Sequence, residues 1–137
     1  MVSSDDGIRR KLSEILRRTG LAPNLVSTVA ESWMALASFE VCMVLCEECV
    51  VDGNYQAVVG VVGDIDARIP VIVISRTGEW PEYLAAIRGG ALDYVAFPPI
   101  PREFQRVIRN AFRERECRQH FARIGIPYPE CGIGEMA

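Results

Sequence analysis

Apolar residues recur along this chain in two rhythms. Between residues 7 and 19, Ile8, Leu12, Ile15 and Leu16 fall at i, i+4, i+7 and i+8, the stripe of a helix with one buried face. Asp5 or Asp6 is placed to cap its start, and Gly20 to stop it. Further helices are predicted at Ala30 to Ala37, at Asn54 to Asp66, at Trp80 to Arg88 and from Pro101 onward. In the last of these Phe104, Val107, Ile108, Ala111 and Phe112 share a face, and a proline is tolerated in the first turn. The helix from Asn54 carries valines and Gly60, which lower its propensity. Between the helices lie unbroken apolar runs, Glu40 to Leu45 and Val71 to Ile74, of the kind that suits strands covered on both faces. Leu25 to Val29 predicts another strand, Val2-Ser3-Ser4 a poor first one, and a fifth ends at Phe97.

Five alternations of strand and helix predict an α/β fold, a five-stranded parallel sheet with helices on both faces. Functional groups in such sheets gather beyond the carboxyl ends of the strands. At 137 residues the chain is one domain by length, able to bury about two thirds of its unfolded surface. We expect the domain at residues 2–118 and a loosely ordered tail at residues 119–137, where Pro127, Pro129, Gly132 and Gly134 break any periodicity.

Charge and composition narrow the function. No apolar run approaches a membrane span and the start does not resemble a signal peptide, so a cytoplasmic protein with five reduced cysteines is expected. A net charge of −3 argues against nucleic acid as the main partner, although arginines crowd both ends. Lys11 is the only lysine.

Several stretches, in order and spacing, resemble the receiver domains of bacterial two-component response regulators across roughly residues 2 to 116. They are Ser4-Asp5-Asp6 before a helix, Phe39 to Val44, Asp52-Gly53, Ile69 to Ser75, and Gly89 to Val95. The resemblance implies a flavodoxin-like, doubly wound sheet of strand order 2-1-3-4-5. It also implies phosphoryl transfer to an aspartate at the end of the third strand, aided by a divalent cation, a lysine and a hydroxyl. Counting back from Gly53 by the family's spacing places that acceptor at Leu45, or at Cys46 with a one-residue slip. Neither is a carboxylate. The family's lysine position holds Phe97, ahead of Pro98, where the family commonly has a cis peptide. Asp5 and Asp6 match the acidic pair, which alone makes at best a weak magnesium site; Ser75 matches the switch hydroxyl and Tyr94 its aromatic partner. Arg76 either turns into the acidic pair as a substitute cation or points to solvent.

The resulting expectation is a non-enzymatic, degenerate receiver, without a cofactor, that acts by protein contact with a histidine kinase, an output protein or a second copy. The fourth helix, fifth strand and fifth helix would supply the surface, with Trp80, Tyr83, Tyr94 and Arg106 as its residues. The alternative is an atypical phospho-acceptor, or a thiol sensor built on Cys46 and Cys49, although Glu47 and Glu48 should raise the thiol pKa. Asp52 suits a turn before Gly53 better than a displaced acceptor. The lone His120 offers neither a zinc set nor a catalytic triad.

Overall fold

The computed structural model describes residues 1–125. Three strands form a parallel sheet: β1 (Val44–Glu47), β4 (Val71–Ser75) and β5 (Asp93–Ala96), in the order β1-β4-β5. A two-residue antiparallel pair, β2 (Cys49–Val50) and β3 (Gly53–Asn54), follows β1 directly. Five helices accompany them: α1 (Asp6–Arg18), α2 (Val29–Ser38), α3 (Tyr55–Ile65), α4 (Trp80–Arg88) and α5 (Pro101–Arg123).

The expected five-stranded sheet is therefore a three-stranded ladder among the described residues. The first two strands shrink to isolated parallel bridges, Val2 with Cys46 and Val2 with Val26. These bridges extend the lateral order 26, 2, 46, so the 2-1-3-4-5 path persists as a trace. Local chemistry explains the lost second strand. Thr28 Oγ1 accepts from the Glu31 amide at 3.1 Å and starts α2, while the Asp52 carboxylate accepts from the Val29 and Ala30 amides at 2.8 and 3.2 Å. Residues expected to pair in a sheet instead satisfy the open amides of a helix start.

Strand periodicity sorts the core. Leu45, Ile72 and Ile74 face Ile8, Leu12 and Leu16 of α1 and Phe104, Val107, Ile108 and Ala111 of α5. Val44, Cys46 and Val71 face Leu36 of α2 and Val58 and Val62 of α3, while Val73 meets Ala86 of α4 with Ala91 and Tyr94. Helices thus cover both faces, as the unbroken apolar runs require.

Two boundaries differ from expectation. The third strand, expected over Glu40 to Leu45, lies at Val44–Glu47, because its register is set by β4: Val44 pairs with Val71, and Glu47 with Ile74. The fifth helix runs to Arg123, so residues 119–123 of the expected tail are helical. Arg118 contributes by donating to the Ala67 and Ile69 carbonyls at 3.3 and 3.5 Å. The remaining tail, residues 126–137, lies outside the described residues. No helix among the described residues is long and apolar enough to cross a membrane.

Candidate functional site

The carboxyl ends of β1 and β4 meet the loop before α1, and three segments place their polar side chains together there. The β1 register decides which residue of that strand arrives. Leu45 points into the cluster shared by α1 and α5, and Cys46 into the cluster under α2 and α3. The side chain at the open end is Glu47, 7% exposed. The side chain at the open end thus comes from Glu47, two residues beyond the expected Leu45 and one beyond Cys46. The β2–β3 pair turns the chain directly after β1, which leaves Glu47 six residues before Gly53.

Glu47 is held on both sides. The Ser3 hydroxyl donates to Glu47 Oε1, and Ser3 itself is 1% exposed. Ser3 Oγ also accepts from the Asp5 amide at 3.1 Å, which ties the loop before α1 to the end of β1. From the loop after β4, Arg76 Nη2 donates to Asp5 Oδ2 at 2.7 Å and reaches Glu47 Oε2 at 3.5 Å. The guanidinium therefore lies between two carboxylates, although its side chain remains 61% exposed. An exposed ion pair of this kind contributes little to stability, but it fixes where the charges stand.

Asp5 and Asp6 do not act as a pair. Asp5 Oδ1 accepts from the Ile8 amide at 3.0 Å and caps α1 while Oδ2 takes Arg76. That amide bond, opposed by desolvation and reinforced by Arg76, holds the Asp5 carboxyl below its ordinary pKa. Asp6 is the first helical residue and pairs with Arg9 one turn on, with its side chain 79% exposed. The two carboxylates expected to share a weak magnesium site thus have different partners. Only Asp5 turns inward, and the group between it and Glu47 is a guanidinium. A cation between these two carboxylates would have to displace that guanidinium. Among the described residues no cluster of three or more metal-ligating side chains occurs.

Ser75, at the end of β4, is 1% exposed and accepts from the Thr77 and Gly78 amides at 3.1 and 3.0 Å. Its hydroxyl shapes the loop that aims Arg76. Tyr94 lies buried nearby, and its hydroxyl donates to Glu48 Oε1 at 3.1 Å. Burial raises the Tyr94 phenol above its usual pKa, against the opposing pull of the Ser75 and Thr77 hydroxyls. Its ring meets Tyr83 edge-on at 6.1 Å, and Tyr83 stacks on Trp80 at 5.2 Å. The structure thus joins Trp80, Tyr83 and Tyr94 in one aromatic run ending at Trp80, which is 67% exposed. Arg106 stands apart on α5, where its charge acts on the half-buried Asp93.

Phe97 precedes Pro98 through a cis peptide and packs against the α1/α5 cluster, while its amide donates to the Ser75 carbonyl at 2.7 Å. Lys11 is distant in sequence from this position. Even so, it lines an open groove with Asp5, Gly7, Ile8, Arg76, Phe97 and Pro98. Asp52 is committed to capping α2; its bonds from Val29 and Ala30 lower its pKa. Cys46 is fully buried, its thiol pushed up to about 12 by desolvation, whereas Cys49 is exposed.

Sequence reasoning missed Ser3 and Glu47. The available signal for Glu47 was an acid closing an apolar run; Ser3 offered none beyond its place in the first strand.

No protein-family model matches the sequence, and no curated protein matches it. Solved structures do. The beryllofluoride-activated NtrC4 receiver domain dimer is 24% identical with a TM-score of 0.76, over 83% of this chain and 94% of that one. The signal receiver domain of an HD domain-containing protein from Pseudomonas fluorescens Pf-5 is 17% identical with a TM-score of 0.75, over 84% and 93%. A receiver domain protein from Methanospirillum hungatei JF-1 is 17% identical with a TM-score of 0.74, over 84% and 92%. The chain has the receiver-domain fold.

Proposed function

We propose that this chain is a receiver-like signal-transduction module that acts through protein contact and does not depend on accepting a phosphoryl group. The observation that carries this reading is the Arg76 guanidinium between Asp5 and Glu47. A phosphoryl-transfer site of this fold needs a divalent cation beside the acceptor carboxylate to offset developing charge. Here a fixed organic cation stands in that space, and Phe97 supplies no ammonium. In this reading the site is a clamp of two carboxylates on one guanidinium rather than a reaction centre.

The contact surface in this reading is the aromatic run Trp80, Tyr83 and Tyr94 on α4 and β5, with Arg106 on the adjoining α5. Trp80 is the exposed end of this run, with half-buried Tyr83 and buried Tyr94 behind it, and aromatic and arginine side chains are those that anchor protein interfaces. The partner is a histidine kinase, an output protein or a second copy; the receiver dimer named for NtrC4 makes the last of these a concrete case.

A second reading is favoured by Glu47 itself, a carboxylate at the end of the strand where the fold places an acceptor. Incubation with acetyl phosphate and magnesium, followed by intact mass, separates the two. An unchanged mass is expected. A species about 80 Da heavier, lost in Glu47→Gln, would replace the first reading with the second.

A further inference from the structure

Because the first two strands are reduced to single bridges, the sheet leaves space at the opposite end of β1. A cavity of about 160 Å³ lies there, between the last turn of α1, α2, and residues 21–26 and 40–45. Leu16, Leu21, Val26, Leu36, Val41 and Met43 supply most of its wall.

Several polar groups of this wall have partners, and the exposed Asn24 and Glu40 belong to its rim. The Met1 ammonium donates to the Asn24 carbonyl at 2.7 Å, and the Ser32 hydroxyl to the Val29 carbonyl at 2.6 Å. The Val26 amide donates to the Met1 carbonyl at 3.0 Å and the Val2 amide to the Leu45 carbonyl at 2.7 Å. Burial pushes the Met1 ammonium down to about 6. The pocket is half open, and its apolar part has about the volume that admits benzene where Leu, Ile and Phe side chains line it. Met43 adds a polarisable sulfur of the kind that contacts aromatic rings favourably.

We propose that this cavity binds a small neutral aromatic molecule, benzene to indole in size. The site shares no residue with the Ser3, Asp5, Glu47 and Arg76 cluster. It stands or falls independently of the signalling reading.

Indole is the probe. The complete 137-residue chain is titrated while thermal unfolding and methyl NMR spectra are followed. The expected result is a saturable rise in midpoint with shifts at the methyls of Leu16, Val26, Leu36 and Met43. Ala35→Leu, which adds volume to the α2 wall, should weaken affinity at least tenfold. No saturable response up to the solubility of indole overturns the proposal, and so does a response confined to other methyls. Where Ala35→Leu fails to fold, the methyl map of the unaltered chain decides by the same two criteria.

Discussion

Removing the Ser3 hydroxyl strikes the candidate site at its most buried point. Ser3 is 1% exposed and Glu47 is 7% exposed, so neither can readily exchange its partner for bulk water. A hydrogen bond to a charged group contributes about 1.5 to 3 kcal/mol, and an orphaned buried acceptor carries the desolvation cost in full. Ser3→Ala should therefore destabilise the fold by about 1.5 to 3 kcal/mol. At about 3 to 5 °C per kcal/mol for a chain of this length, the midpoint should fall by about 5 to 15 °C. Urea titration with both tryptophan fluorescence and circular dichroism measures the change, and an unaltered slope certifies that compactness is unchanged. The same substitution also frees the Asp5 amide that Ser3 accepts, so a control is needed. Glu47→Gln keeps an oxygen facing Ser3 but removes the charge, which brings the bond down to about 0.5 to 1.5 kcal/mol. The Asp5 loss is common to both backgrounds and cancels. Ser3→Ala should thus cost about 1 kcal/mol less in Glu47→Gln than in the unaltered chain. Equal costs in the two backgrounds, or a cost under about 0.5 kcal/mol in the first, would refute the placement of Glu47 against Ser3.

Two further outcomes follow from the site and its surroundings. The Asp5 carboxyl is depressed first by the Ile8 amide and further by Arg76; a depressed carboxyl stabilises the fold above its unfolded value of about 3.9 and loses that contribution as pH falls through the folded value. Arg76→Ala removes one cause and leaves the Ile8 bond, so the Asp5 midpoint in a carbon-detected NMR titration should rise toward the ordinary value without reaching it, and an unmoved midpoint would contradict the ion pair. Cys46, buried and pushed to about 12, should resist alkylation at neutral pH while Cys49 reacts, as peptide mapping by mass will show; equal labelling of the two in the folded chain would contradict its burial.

How much of this was legible in the sequence varied with how local the determining physics is. The helix at Trp80 to Arg88 agrees at both ends, since proline near its start and Gly89 after its end are local signals. The first helix agrees to within a residue for the same reason. The register of β1 is not local. Val41 and Val44 look equally strand-like, and only pairing with Val71 to Ile74 selects the residues used. That selection moved the polar end of the strand from Leu45 to Glu47 and carried the candidate site with it. Thr28 and Glu31, spaced as in a capping box, were a readable sign that the strand expected at Leu25 to Val29 would give way to a helix. Glu31 Oε2 accepts from the Ser27 amide and completes that end. The roles of Asp5 and Asp6 could not be separated without the helix phase, which turns one toward Arg76 and the other toward Arg9.

The two single bridges at Val2 give the site a mechanical meaning. Val2 is the seam between the first 26 residues and the three-stranded ladder, stitched by the Val2 amide to Leu45 and the Glu47 amide to Val2. Ser3 and Asp5 stand on one side of that seam, and Glu47 and Arg76 on the other. The charge cluster therefore bridges that seam, beside the apolar contacts that α1 makes with Leu45, Ile72 and Ile74. A partner that pulls on Arg76 would load β4 through the chain and, through the ion pair to Asp5, the start of α1 across that line.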